Sequence, residues 1–277
     1  MEKHHSIVKN MRRFAGIVEY DGTSFKGFQR QPNRFTVQGE IERCLENMIG
    51  SFVQITAAGR TDAGVHSRGQ VIAFSIDVCY QTEVIKRALN ARLPKDIRII
   101  SLVDIVDQFD PRRDAITRSY RYVVSTGSSE SVFDNRFSHY IGASLNSKKM
   151  EKGMQLFIGE HDFCNFAGSG VQITTNTIRN VKEAYIEDFG DKVELYFEAN
   201  AFMRHQVRNM AGLILRVGLS RSSLSDVSRF LESNLGTIRP PMLPAKGLFM
   251  EKVTYPDSVF IDTKLIQGQD FLVSLRA

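Results

Sequence analysis

The sequence predicts an α+β fold made of two halves, each a β-sheet with helices packed on one face. Segments with helical periodicity and segments with strand periodicity follow one another along the 277 residues. Some neighbouring strands are joined by tight turn signals, which indicates antiparallel hairpins beside the helical connections. Hydrophobic residues make up 42% of the chain and charged residues 24%, a composition that supports a packed core and excludes general disorder.

The first half is predicted over residues 14–115, after an N-terminal extension of residues 1–13. Its strands alternate in polarity or are rich in aromatic and β-branched residues, and they cover 14–20, 70–76 and 97–105. Its two amphipathic helices cover 37–48, after the predicted N-cap Thr36, and 83–92, before Pro94.

The second half is predicted over residues 116–277. Its strands are expected at 119–124, 178–187, 192–199 and 247–253, and residues 188–191 have the composition of a hairpin turn. Its helices are expected at 148–158, 202–217 and 224–231, with a loop over 125–135 and a helix-ending turn around His161 and Asp162. No sequence repeat with a fixed period is visible in either half.

The charge of the chain is moderately basic, with 36 Lys and Arg residues against 31 Asp and Glu residues. The whole excess lies in residues 1–125, which carry 19 basic and 14 acidic residues. An excess of this size permits an acidic partner without identifying one.

The cysteines and the hydropathy pattern bear on the compartment. Cys44, Cys79 and Cys164 are odd in number and far apart, which argues against a disulfide framework and favours a reducing compartment. No apolar run approaches the ~18 residues of a membrane span, and the N-terminus lacks the apolar core of a secretory signal. We therefore expect a cytoplasmic protein without a membrane partner.

The zinc motifs CxxC and HExxH do not occur, so no metal is expected.

The segment 57–66 is the most unusual in the chain, because it places Arg60, Asp62 and His66 beside two glycines. Glycines allow tight turns and the close approach of a ligand to the backbone. An aspartate held there beside a cation stays ionised and can act as a nucleophile or a base. The alternative is an Asx-turn with an Arg60–Asp62 surface ion pair, which the residue types alone favour.

A second candidate segment, residues 20–31, interleaves aromatic, basic and amide side chains. This mixture is typical of surfaces that stack on bases and contact phosphates in RNA. It includes Phe28, Gln29 and Arg30. For Phe25 and Phe28, a place in the hydrophobic core is the favoured alternative.

Two groups of arginines are further candidates for phosphate contacts. Arg112, Arg113 and Arg118 precede a predicted strand in which Tyr120 offers a ring for stacking, although a sheet rim with solvated arginines is equally consistent. Arg204 and Arg208 lie four residues apart in a predicted helix, hence on one face, where a bound anion would offset their repulsion. A solvated helix face is the alternative. His205, in the same segment, is more typical of a structural histidine, and so is His66.

The segment 59–66 resembles the active-site signature of the TruA-type tRNA pseudouridine synthases. The resemblance runs from residue 14 to residue 253 through further motifs in the family's order. These motifs are 19–22, 27–31, 37–38, 69–71, 90–94, 120–122, 159–163, 200–202, 207–210 and 245–248. It implies two RNA-recognition-motif-like halves that share a continuous, mostly antiparallel sheet with a basic cleft between them. It also implies a homodimer that isomerises uridine, typically at nucleotides 38, 39 and 40 of the tRNA anticodon stem-loop, without cofactor or metal.

The resemblance implies roles for individual residues. Asp62 matches the catalytic aspartate, and Arg60 matches the arginine that pairs with it and helps to hold the target base out of its stack. Tyr120 matches the tyrosine that packs on this base and is proposed to take part in proton removal. Leu248 falls where the family places an apolar residue against the uracil.

Other residues near these four are expected to bind the RNA. Unstacking a base costs a few kcal/mol, which phosphate contacts must offset. The candidate binding residues are Phe28, Gln29, Arg30, His66, Arg112, Arg113, Arg204 and Arg208.

The leading hypothesis from the sequence is therefore a tRNA pseudouridine synthase that uses Asp62. A relative that acts on another tRNA or rRNA uridine is one alternative, and a non-catalytic RNA-binding or tRNA-folding protein is a second. A hydrolase that uses Asp62 and His66 is a third, which leaves the regions of Tyr120 and Arg208 unexplained.

Overall fold

The structure, a computed structural model, describes residues 11–168, 176–232 and 238–259, and these form one sheet of ten strands with five α-helices. The strands are β1 Met11–Tyr20, β2 Thr56–Ala57, β3 His66–Asp77, β4 Ile97–Asp104, β5 Thr117–Ser125, β6 His139–Tyr140, β7 Gly159–Asp162, β8 Ile178–Asp188, β9 Lys192–Ala199 and β10 Leu248–Thr254. The helices are α1 Val37–Ile49, α2 Thr82–Asn90, α3 Ser147–Gln155, α4 Gln206–Gly218 and α5 Leu224–Glu232.

The same topology occurs twice along the chain. The N-terminal half (β1 to β4) follows the order strand, helix, strand, strand, helix, strand of the ferredoxin-like fold. The C-terminal half (β5 to β10) follows the same order through β5, α3, β8, β9, α4 and β10, and adds β6, β7 and α5. The main path of the sheet is β4-β1-β3-β10-β5-β9-β8-β7. The predicted fold of two halves sharing a mostly antiparallel sheet is thus confirmed, although no repeat is visible in the sequence.

The two halves meet where β10 pairs with the beginning of β3. This pairing is parallel and joins Phe249 to His66 and Met250 to Ser67. The short strand β2 occupies the same edge of β3 further along, opposite Ile72 and Ala73. The residues between β2 and β3 therefore lie at the junction of the two halves, which positions segment 57–66 beside both.

Local signals explain the first helix. The Thr36 side chain accepts a hydrogen bond from the Gly39 N–H at 3.2 Å and so caps α1, as predicted. Gly50 ends the helix with a φ of 82°, the left-handed conformation that glycine adopts easily. Between these ends α1 buries Ile41 and Leu45 against the sheet.

Buried side chains form three clusters, two of which hold the helices on the sheet. One packs α1 and α2 on Phe14 and Phe74 of the N-terminal half. A second surrounds Phe157 in the C-terminal half. A third lies at the junction and includes Met250. Full burial of each such side chain contributes roughly 1.5–3 kcal/mol, so both halves have substantial cores.

The helix predicted over 202–217 begins four residues later, at Gln206. His205 has a positive φ of 66°, which breaks the helical path before the first turn of α4. Arg204 therefore lies outside the helix, and the prediction that it shares a helical face with Arg208 is wrong.

Other differences concern short strands and element ends. The structure has strand β7 where a turn was predicted around His161 and Asp162, because these residues pair with β8 at the edge of the sheet. The strands β2 and β6 have two residues each, too few for a periodicity to predict them. β1 begins at Met11, so the last three residues of the predicted extension belong to a strand, and residues 1–10 lie outside the described residues.

The predicted boundary between residues 115 and 116 falls between β4 and β5 and stays a prediction. The predicted C-terminal half extends to residue 277, of which 260–277 lie outside the described residues. Among the helices that the structure describes, none is both long and apolar enough to cross a membrane.

Candidate active site

A cleft of about 1070 Å³ lies at the junction and is lined by residues from both halves. Among the residues that the structure describes, its walls carry eight Lys and Arg side chains and two carboxylates. The basic residues are Lys26, Arg60, Arg112, Arg113, Arg118, Arg179, Arg204 and Arg208, and the acidic ones are Asp62 and Asp110. The chain's modest net charge thus hides a locally strong positive potential, which attracts polyanions.

The loop that carries Asp62 is fixed by backbone contacts. The Gly59 N–H donates to Gln70 Oε1 at 3.3 Å, and Gln70 Nε2 donates to the Gly59 carbonyl at 2.9 Å. The Phe28 N–H donates to the Thr61 carbonyl at 3.1 Å. Gly27 permits this approach, because it has a φ of +94° and a Cβ there would lie 2.9 Å from the Thr61 oxygen.

The Asp62 carboxylate is held by two residues near the start of α4. Arg208 Nη1 donates to Asp62 Oδ2 at 2.9 Å, and His205 Nε2 lies 3.4 Å from the same oxygen. Arg208 is itself fixed, since its Nε donates to the Leu243 carbonyl at 2.8 Å. The Pro-rich segment before β10 therefore orients the arginine that neutralises Asp62.

Arg60 does not pair with Asp62, contrary to the prediction. Its side chain is exposed, and it makes no ion pair or hydrogen bond within the described ranges. The Arg208 side chain is only 11% exposed. Because water screens exposed pairs, the buried guanidinium of Arg208 is the stronger partner for the half-buried carboxylate. Arg60 is left free at the wall of the cleft.

Tyr120 of β5 and Leu248 of β10 line the cleft together with Asp62. The Tyr120 ring packs edge-on against Phe202, with the ring centroids 5.3 Å apart. Desolvation raises the pKa of Tyr120 to about 12, the charge of Asp62 acts in the same direction, and Arg118 opposes both. Tyr120 is therefore a neutral phenol near pH 7.

Four of the other predicted binding residues also line the cleft. Gln29, Arg112, Arg113 and Arg204 are exposed at its walls. Phe28 borders the cleft, but its ring is 2% exposed and packs near Tyr20 in the core. The structure therefore places Phe28 in the core, the alternative considered from the sequence, and offers no exposed ring for stacking.

Arg30 and His66 do not line the cleft. Arg30 pairs with Glu42, with 3.3 Å between Nε and Oε2, and lies over the Phe52 ring. His66 is 1% exposed and stacks on Phe249.

Both ring nitrogens of His66 are used within the fold. The Gly22 N–H donates to Nδ1 at 3.1 Å, so Nε2 carries the proton and donates to the Arg136 carbonyl at 3.0 Å. Burial lowers the pKa of His66, against the opposing effect of Asp21. The prediction that His66 binds the RNA is therefore wrong, because its buried ring is used within the fold, the structural alternative considered from the sequence. A hydrolase dyad of Asp62 and His66 is wrong for the same reason.

Two further residues, Arg118 and His205, shape the site in ways that the sequence did not predict. Arg118 is buried in the cleft wall and donates to the carbonyls of Ala115 and Asn200 at 3.1 and 2.8 Å. It also donates to the Arg112 and Ala58 carbonyls. The sequence placed Arg118 among the arginines of a phosphate-contacting edge, whereas its guanidinium is used by backbone carbonyls of the fold. The contact between His205 and Asp62 has no signal in the sequence, because it joins distant parts of the chain.

Comparison with known proteins assigns the family. The model of the tRNA pseudouridine synthase family matches residues 17–112 and 154–256. The tRNA pseudouridine synthase A of Pseudothermotoga lettingae is 36% identical over 246 residues, 88% of this chain and 100% of that protein. That of Geobacillus kaustophilus is 35% identical over 258 residues, 93% of this chain and 99% of that protein.

The chain belongs to the tRNA pseudouridine synthase family. It is an isomerase that converts uridine to pseudouridine in tRNA, so the predicted family and reaction class are confirmed. Among solved structures, a chain of an archaeal box H/ACA sRNP Nop10–Cbf5 complex is 15% identical, and the match covers 93% of this chain and 53% of the other chain. The TM-score is 0.33, so this match adds nothing to the assignment.

Proposed function

We propose that this enzyme modifies uridines 38, 39 and 40 of the tRNA anticodon stem-loop and that Asp62 is its catalytic carboxylate. One observation carries the proposal for Asp62. Its Oδ2 is bound by Arg208 at 2.9 Å inside a cleft with eight basic side chains. The other carboxylate of the cleft, Asp110, accepts the backbone N–H groups of Arg112 and Arg113 and so has a structural task.

The reaction breaks the C1′–N1 bond, turns the uracil and joins C1′ to C5. One proton is lost from C5 and one is gained at N1, so no atom is added from outside. An ionised Asp62 can attack a carbon of the nucleotide or remove a proton from the ribose, and the proposal covers both. Arg208 pairs with the carboxylate and orients it.

The walls of the cleft suit a nucleotide that has left its stack. Tyr120 and Leu248 offer an aromatic and an aliphatic surface for the uracil. The exposed Arg112, Arg113 and Arg204 are available for phosphates. Arg60 is free to contact the RNA, because Arg208 already neutralises Asp62. Such phosphate contacts offset the unstacking cost of a few kcal/mol.

We also propose a cytoplasmic homodimer in which both subunits contact one tRNA, as the family resemblance implies. The three cysteines are free thiols, which agrees with a reducing compartment. Light scattering coupled to size-exclusion chromatography should give twice the 31.4 kDa of the chain, and a monomeric mass would contradict the dimer.

The test of the proposed reaction is to incubate the protein with unmodified tRNA and map the pseudouridines. Wild type should modify uridines 38–40, and Asp62→Asn should form no product while still binding tRNA. Asp110→Asn is the matched control, since it removes the other carboxylate charge of the cleft, and it should stay active. Product at other uridines only would indicate a relative with another target. An Asp62→Asn variant that is as active as wild type would disprove the catalytic assignment.

A further inference from the structure

The backbone at His205 adopts an uncommon conformation. Its φ is 66°, in the left-handed region that residues other than glycine rarely enter, and α4 begins at the next residue. Strained conformations of this kind persist where the surrounding structure holds them, and they cluster at functional sites. At this position the conformation interrupts the chain between Arg204 and α4.

The fold makes room for the His205 ring. A Cβ at Gly168 would lie 2.6 Å from His205 Nδ1, so a side chain at that position would collide with the ring. The Gly168 N–H donates to the Arg204 carbonyl at 2.9 Å and keeps the two segments together. The ring edge at Nε2 lies 3.4 Å from Asp62 Oδ2, with the side chain 15% exposed.

Arg208 and His205 both contact the same oxygen of the Asp62 carboxylate. Arg208 Nη1 and His205 Nε2 approach Oδ2, and no hydrogen bond or ion pair reaches Oδ1 from the residues that the structure describes. We propose that His205 is a positioning residue that, together with Arg208, fixes Oδ2 and leaves Oδ1 to meet the nucleotide. This inference rests on the proposed catalytic role of Asp62.

The charge of His205 adds a pH dependence to this arrangement. The charged groups that face it are Asp62, Arg204 and Arg208. Burial lowers its pKa, the two arginines act in the same direction, and Asp62 opposes them. His205 is therefore neutral near pH 7. When it is protonated at lower pH, Asp62 is paired with two cations and becomes a weaker base and nucleophile.

The direction of the pH effect is set by this second cation. The pKa of His205 lies below the ordinary value of a histidine. As the pH falls through this pKa, kcat/KM should fall, because Asp62 then faces a second positive charge. This acid limb belongs to the free enzyme. The acid limb should disappear in a variant whose residue 205 keeps an N–H donor but has no titratable group.

The experiment compares His205→Gln with His205→Asn. Glutamine places an amide N–H near the position of Nε2 and has no charge. Asparagine accepts the left-handed backbone readily, but its side chain is too short to reach Asp62. Initial rates with tRNA are measured from about pH 5 to about pH 8, and thermal melting and tRNA binding report on folding and affinity.

We expect wild-type kcat/KM to fall by about tenfold between about pH 7.5 and pH 5, and that of His205→Gln to change by less than about twofold. His205→Asn should lose about tenfold in kcat at neutral pH with little change in KM. An acid limb in the glutamine variant like that of wild type, or an asparagine variant as active as wild type, would overturn the proposal.

A second variant keeps the test decisive if the substitutions at residue 205 do not fold. Arg204 is exposed, and its charge lowers the pKa of His205. Arg204→Gln should therefore move the acid limb to higher pH, and an unmoved limb contradicts the role of His205. Activity in Asp62→Asn would instead contradict the proposed function itself, so the two failures are distinguishable.

Discussion

Arg208 Nη1 lies 2.9 Å from Asp62 Oδ2, although the two residues are 146 positions apart in the chain. Asp62 precedes β3 in the N-terminal half, and Arg208 lies in the first turn of α4 in the C-terminal half. The charged centre of the cleft is thus completed only when both halves fold onto the shared sheet.

Arg208→Gln should lower kcat by about 100-fold, because it leaves Asp62 without its buried cation. Arg208→Lys should retain part of the activity, since a lysine can pair with Asp62 but cannot also donate to the Leu243 carbonyl in the same way. The activities of both variants are measured as single-turnover rates with saturating enzyme. Arg216→Gln, which changes an exposed residue of the same helix, is the control and should be unaffected.

Tyr120 should remain a phenol at neutral pH. With a pKa of about 12 it contributes very little phenolate absorbance below about pH 10, so the spectrophotometric titrations of wild type and Tyr120→Phe should coincide there. The packing role predicts that Tyr120→Phe keeps more activity than Tyr120→Ala. A phenylalanine variant as inactive as the alanine variant would show that the hydroxyl is essential to the reaction.

Arg118→Met should destabilise the fold as well as the site. It would leave four buried or half-buried carbonyls without their donor, at a cost of about 2–4 kcal/mol in the free energy of unfolding. Urea denaturation measures this loss. Arg113→Met is the control, because its side chain is 86% exposed and its removal should cost less than about 0.5 kcal/mol. Equal costs would contradict the role of Arg118.

Gly27→Ala should lose activity because it displaces the Asp62 loop. Gly190→Ala offers a matched control, since Gly190 has a similar φ of +89° but a Cβ added there would meet nothing within 4 Å, whereas one at Gly27 would meet Thr61. Both variants should lose about 1 kcal/mol of stability from backbone strain. Only Gly27→Ala should also lower kcat, and comparable activity in both variants would disprove the effect on the loop.

Binding of tRNA should weaken steeply as salt rises. Replacing Arg112, Arg113 or Arg204 with glutamine should each reduce the slope of log K against log salt by up to about 1. Arg30→Gln should change the slope less, because Arg30 lies outside the cleft and pairs with Glu42. Fluorescence anisotropy over a salt series measures the slopes. A flat salt dependence would contradict binding of RNA through this cleft.

Local sequence signals predicted most of the elements because they act over a few residues. The N-cap Thr36 and the apolar spacing of α1 lie within one segment, and the hairpin of β8 and β9 is marked by its turn around Gly190. The start of α4 was misplaced, because His205 has a left-handed backbone and its ring lies against Gly168 and Asp62, contacts that no local pattern contains. The two-residue strands were missed because periodicity needs longer segments.

The sequence by itself determined the order of the helices and the longer strands, the glycine-flanked loop with Asp62 and, through ordered motifs, the family. Only the tertiary structure decided that Arg208 rather than Arg60 pairs with Asp62, that His66 is buried, and that β3 joins β10. The physical reason is that hydrophobic periodicity shows which face of an element is buried, but not which distant residue packs against that face. Ion pairs and strand pairings across the junction are contacts between such distant residues.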